Sequence, residues 1–202
     1  MGSTVAKPQD ITAGELALTP EYCQDVQTMN GWEKHNRAPR TPQWLAMMGE
    51  TFWAMHHYCW GLIWIHRSRA AGLTHQVRDF YRREAIADYF YVVRNSPPDF
   101  VLLPEIFYRI AEAHVLLEEP VPAMEAFAKA RTLKPDYWPA YIGEARVLEA
   151  VGKNAEARRL IEEGLQQLPN QPQLQNHLQH LQGKMGGPAQ PRGSAQRTSI
   201  AR

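Results

Sequence analysis

Residues 104–135, PEIFYRIAEAHVLLEEPVPAMEAFAKARTLKP, and residues 138–169, WPAYIGEARVLEAVGKNAEARRLIEEGLQQLP, fall into register when Pro135 and Pro169 are superposed, 34 positions apart. In the first copy Phe107, Ile110, Ala111 and His114 lie on one helix, and Ala123, Phe127 and Ala130 on its partner. In the second, Tyr141, Ala145 and Leu148 precede Gly152, and Ala157, Ile161 and Gly164 precede Pro169. Small residues at 111, 123, 145 and 157 let the two helices of a hairpin approach closely, while the large apolar ones fill the hollow beside them. Each proline stops a second helix. The spacing predicts an all-α chain built from antiparallel helix hairpins.

This order of aromatic, small, small, aromatic, small and proline over residues 104–170 resembles the tetratricopeptide repeat. Two positions depart from that pattern: Glu144 stands where the family usually has leucine, and Glu118 where the first copy would usually turn through glycine. The resemblance implies a short solenoid whose concave face holds a peptide or a partner protein, in the manner of adaptors and assembly factors. It does not name the partner. A degenerate third copy is expected upstream, because Ala85, Tyr89 and Val92 precede Pro97 with the same internal spacings.

Working outward, Thr41-Pro42 is a helix start, and one helix is expected from Pro42 to about Arg69, on the order of 40 Å long. A second runs from about Thr74 to Arg94 and ends at Asn95-Ser96-Pro97-Pro98. The last, about Gln171 to Gln182, carries a narrow stripe of Leu174, Leu178 and Leu181, as a capping helix would. Residues 1–41 read as an irregular arm with one short turn around Pro20 to Gln24, laid over the helices and pinned by Cys23 and Trp32. Residues 42–183 form the helical domain. The Gly- and Pro-rich stretch 184–202, with basic residues and no acid, is expected to be disordered.

The 202 residues, 44% apolar, suffice for one real core. A formal charge of +1 excludes a global field that would steer the chain to nucleic acid, and no nucleic-acid partner is expected. Basic residues gather at Arg67, Arg69, Arg78, Arg82 and Arg83, which read either as a solvated helix face or as a contact for a membrane surface or anionic polysaccharide. Cys23 and Cys59 lack the C-x-x-C spacing of a zinc or thioredoxin-like site. They are either a disulfide stapling the arm to the long helix or two unrelated thiols. The bridged reading goes with a periplasmic or envelope location, the other with a cytosolic adaptor. The opening MGSTVAKPQDITAGEL has no basic region followed by an apolar run, but a mature exported chain would read the same way.

The run from Phe52 to Ile65 holds His56, His57 and Cys59, yet adjacent histidines on a helix point about 100° apart and cannot chelate together. No metal or other cofactor is expected. Glu50 and the histidine pair also sit too centrally for a membrane span. Trp53, Trp60 and Trp64 share a face by spacings of seven and four, an aromatic groove for an apolar ligand or a sugar if that face stays open. No nucleophile with a base, carboxylate pair or phosphate loop has a supporting context, so a non-enzymatic scaffold is expected. Its concave face is assigned to Tyr108, Arg109, Glu112, Tyr141 and Glu144, with Trp138 at the rim.

Overall fold

The computed structural model describes residues 11–26 and 38–186. Trp32 and, beyond Gly186, the terminal stretch lie outside the described residues, and so do the expectations made for them. The elements are α1 (Ala13–Ala17), α2 (Thr41–Met48), α3 (Met55–Arg67), α4 (His75–Arg94), α5 (Leu103–Leu116), α6 (Pro120–Leu133), α7 (Trp138–Ala150), α8 (Asn154–Gln167) and α9 (Pro172–Gly186). No strand occurs among the described residues. The fold is an all-α solenoid of antiparallel hairpins: α3 packs on α4, α5 on α6 and α7 on α8, with α9 closing the stack. Because α5 also touches α7 and α7 touches α9, the first helices of successive hairpins lie side by side along one face.

Close packing has visible causes. Ala111, Ala123, Ala145 and Ala157 are fully buried, as are Ala85, Tyr89 and Val92 of the third hairpin. Gly61 and Gly143 are needed for their lack of a side chain. A Cβ at 61 would lie 2.3 Å from the Tyr89 ring, and one at 143 would lie 2.4 Å from the Phe127 ring. Leu174 and Leu181 are the buried part of the α9 stripe, and α9 runs about a turn past its expected end.

The single helix expected from Pro42 to Arg69 is not formed. Gly49 takes a positive φ of 59°, α2 stops there, and Gly49–Ala54 winds as a 3-10 turn before α3 begins. The 13 residues of α3 are an ordinary repeat length, so the hairpin α3–α4 is a true member of the stack. Trp53 is left on the 3-10 turn, bonded to Glu50, and does not share a helical face with Trp60 and Trp64. At the corresponding bend of the first copy, Glu118 takes φ 60°, just where Gly152 takes φ 81° one repeat later.

The arm is more ordered than an irregular segment. Thr12 caps α1 in a reciprocal box with Glu15, and Glu21–Gln24 forms a 3-10 turn. A disulfide joins Cys23 to Cys59 on α3, with 5.7 Å between the Cα atoms. Buried Asp25 accepts from the Trp44 indole at 2.7 Å and pairs with Arg40 at 2.8 Å. Glu15 pairs with Arg67 at 2.5 Å, and the Arg67 guanidinium lies 5.4 Å from the centre of the Trp64 ring. The Arg67 hydrogen bond, helped by Thr12 and opposed by burial, lowers the Glu15 carboxyl to about 2 from an ordinary 4.5.

Two outcomes follow from this geometry. A left-handed residue with a side chain costs about 1 kcal/mol, so Glu118→Gly should raise unfolding free energy by about that amount. Gly152→Glu should lower it comparably, read from urea midpoints. Glu15 has a depressed folded pKa, so its contribution is complete above about 4.5 and is lost as pH falls towards about 2. Exchange of the Leu16 and Leu18 amides, which donate to Thr12 and Glu15 carbonyls, should accelerate across that window in the native chain. In Glu15→Gln it should be fast already at neutral pH and show no such step.

Candidate functional site

The side-by-side first helices α5, α7 and α9 carry a row of open hollows. The first, about 450 Å³, is lined by Tyr108, Glu112 and Val115 of α5, Gly143, Arg146 and Val147 of α7, the Phe127 ring of α6 and the Glu118–Pro120 bend. A second joins Trp138, Ile142 and Arg146 to Asn176, His177 and His180 of α9. A third lies between Arg146, Glu149 and Ala150 on one side and His177, His180 and Lys184 on the other. On the opposite flank, a hollow between α3 and α5 is walled by the arm from Glu15 to Pro20. The groove is therefore bounded by the arm at one end and continues to α9 at the other.

Its lining obeys the 34-residue period. Tyr108, Ile142 and Asn176 are equivalent positions, as are Glu112, Arg146 and His180, and Leu116, Ala150 and Lys184. Of the residues assigned from sequence, Tyr108, Arg109, Glu112 and Trp138 line these hollows. Tyr141 and Glu144 do not. Tyr141 is buried and donates to the Pro135 carbonyl at 2.9 Å, while Glu144 points to α6 and pairs with Arg131 at 2.9 Å. Burial pushes the Glu144 carboxyl up, against the pull of Arg131. The misplacement is one of register: Tyr141 is 33 residues after Tyr108, and the true equivalents of Tyr108 and Glu112 are Ile142 and Arg146. Adding 34 to each groove residue of the first copy would have found them, together with Asn176 and His180.

Most carboxylates along the groove are engaged within the protein. Glu112 accepts from Tyr108 at 2.9 Å and Arg109 at 3.0 Å. Glu119 pairs with His114 at 2.7 Å and Arg83 at 2.9 Å, which hold its carboxyl below the ordinary value. Glu149 is enclosed by His177 at 2.9 Å, Lys184 at 2.7 Å and His180 at 3.3 Å. Burial alone would raise its carboxyl, but the Lys184 bond and these charges outweigh burial and hold it low. Burial lowers His177 despite Glu149.

The remaining sequence candidates sit elsewhere. Trp60 and Trp64 are buried, 5.4 Å apart, with Tyr81 stacked on Trp64, so the tryptophans do not line an open aromatic groove. The arginine group is dispersed into internal bonds: Arg67 to Glu15, Arg78 to the Ser68 and Ala70 carbonyls, Arg82 to Asp79 and Leu116, Arg83 to Glu119. Of the five only Arg69 faces a hollow without an ion pair to a described residue. His57 bonds Asp88 at 2.5 Å, and no group of three or more His, Cys, Asp or Glu among the described residues is placed to hold a metal ion. No helix among them is long and apolar enough to cross a membrane.

Residues 108–181 match the family model described as the tetratricopeptide repeat. Among solved structures the chain is similar to the first TPR of Spaghetti (RPAP3) bound to HSP90 peptide SRMEEVD, at 20% identity and a TM-score of 0.45, over 63% of this chain and 97% of that one. That likeness is too loose to carry an argument about this chain. The hairpins, their 34-residue period and the family match agree, and the chain is a tetratricopeptide-repeat protein over that segment.

Proposed function

We propose that the protein is a non-catalytic adaptor that holds an extended segment of a partner protein in the groove formed by α5, α7 and α9. The observation that carries this is the division of labour along each first helix. Tyr141, Ala145 and Leu148 of α7 are buried in the core, whereas Arg146 and Ala150 on the same helix are exposed in the hollows. Val115 and Val151 add apolar side chains that are close to half exposed there. Arg146 and Ala150 are thus free of a packing duty. Three helices about 10 Å apart span about 20 Å, enough for roughly six residues of extended chain.

An oxidising compartment, and with it a role in bacterial envelope assembly, is part of the proposal. The Cys23–Cys59 bridge supports it, because such a bond persists outside the reducing cytosol. A cytosolic adaptor is the competing reading.

Peptides selected from a random display library should bind the full chain and perturb the backbone resonances of Glu112, Gly143, Arg146 and His180. Val115→Asp and Ala150→Asp, both at exposed groove positions, should weaken them on the order of tenfold with unchanged thermal unfolding. Perturbations confined to α4, α6 and α8, or no selected peptide, would contradict the groove reading. For the compartment, protein from its native host should have a mass two hydrogens short under non-reducing, denaturing conditions and resist alkylation; two reactive thiols there would favour the cytosol.

A further inference from the structure

We infer that the segment held in the groove is acidic and that Arg146 reads its charge by pairing with an aspartate or glutamate of the partner. This rests on the groove reading above and deepens it. Arg146 is exposed, lines three adjoining hollows and has no ion pair to any described residue. Glu149, on the next turn of α7, has a side chain only 8% exposed and is already shared by His177, His180 and Lys184. Glu112, one repeat back, is occupied by Arg109 and the Tyr108 hydroxyl. Glu119 is held by Arg83 and His114. Glu118 is the groove carboxylate left over, exposed at the bend that forms the edge of the first hollow.

The balance of groove charge is therefore cationic towards α9, where Arg146 and Lys184 face a single carboxylate, and Arg69 adds an exposed cation at the other side of the first hollow. An arginine fork donates two parallel hydrogen bonds to a carboxylate, and a like-charged or neutral segment would leave Arg146 without an ion pair. Beside it, Val115, Phe127, Val147 and Val151 offer an apolar hollow. Charge and shape together fit a segment in which acidic and apolar residues are neighbours. A nucleic acid would gain little from that apolar wall, and the local cations are too few for a phosphate backbone.

The test uses the full chain and fluorescent synthetic peptides of about eight residues. Apolar residues are fixed and the variable positions carry Asp and Glu, Asn and Gln, or Lys and Arg. Binding is read by anisotropy at low and high salt, with an eight-base oligothymidine as an additional probe. The acidic series should bind about tenfold or more tightly than its amide counterpart, with a preference that shrinks as salt rises. Arg146→Gln should bring the acidic and amide series to equal affinity, and Arg146→Glu should transfer the preference to the basic series. Equal binding of acidic and amide peptides, insensitive to Arg146→Gln, would overturn the inference and leave the groove reading intact. Binding of none of the peptides would overturn both. Tighter binding of oligothymidine than of every peptide, lost in Arg146→Gln, would show that Arg146 reads a phosphate backbone and overturn the acidic-segment inference.

Discussion

The close approach of paired helices at Ala111, Ala123, Ala145 and Ala157 governs the rest of the molecule. All four are fully buried, and a larger side chain at any of them would push the helices of a hairpin apart. With the hairpins held tight, successive copies stack with a constant period. Residues separated by 34 then line up on the same face, and the first helices present a continuous surface that is not consumed by packing. Gly143 tightens the same constraint between copies, since its missing side chain lets the Phe127 ring lie under the groove as its floor. The groove is a consequence of this packing and needs no dedicated loop or insertion.

A second constraint sets where that groove ends. The arm is fixed to α3 by the Cys23–Cys59 bond and by Glu15 with Arg67, and to the start of α2 by Asp25 with Trp44 and Arg40. It walls the hollow between α3 and α5, so the open run lies towards α9. The cationic character of that run arises because nearly every groove carboxylate is spent on a neighbour while Arg146 is not. Surface ion pairs of this kind contribute little to stability. Their effect here is on what remains available to a partner.

Much of the fold was legible because the repeat is written in side-chain size: Phe107, Ala111, Phe127, Ala130 and Pro135 against Tyr141, Ala145, Ile161, Gly164 and Pro169. The capping box Thr12-x-x-Glu15 was passed over when the arm was read as irregular, and it marks a helix of only five residues that tertiary contacts hold in place. The break at Gly49 was hidden by the strong apolar pattern on both sides, since a glycine inside such a run need not adopt a positive φ. Of the residues assigned to the concave face, Tyr108, Arg109, Glu112 and Trp138 line the hollows, whereas Tyr141 and Glu144, chosen by residue type before register, do not. A tyrosine looks like a contact residue wherever it falls, and only its place in the period shows that Tyr141 faces the core. Nothing in the sequence alone showed that Arg146 would be left without an ion pair to a described residue, because that depends on which partners Glu112, Glu119 and Glu149 reach across helices.

The central claim is that the 34-residue period separates core positions from groove positions. A saturation mutational scan of residues 103–186, read as the amount of folded protein, tests it most directly. The account predicts that 112, 146 and 180 tolerate nearly every residue type, as do 116, 150 and 184, while 111, 145, 127 and 161 accept only small or apolar ones. Equal intolerance at Arg146 and Tyr141 would mean that the groove residues are structural, and would contradict the account.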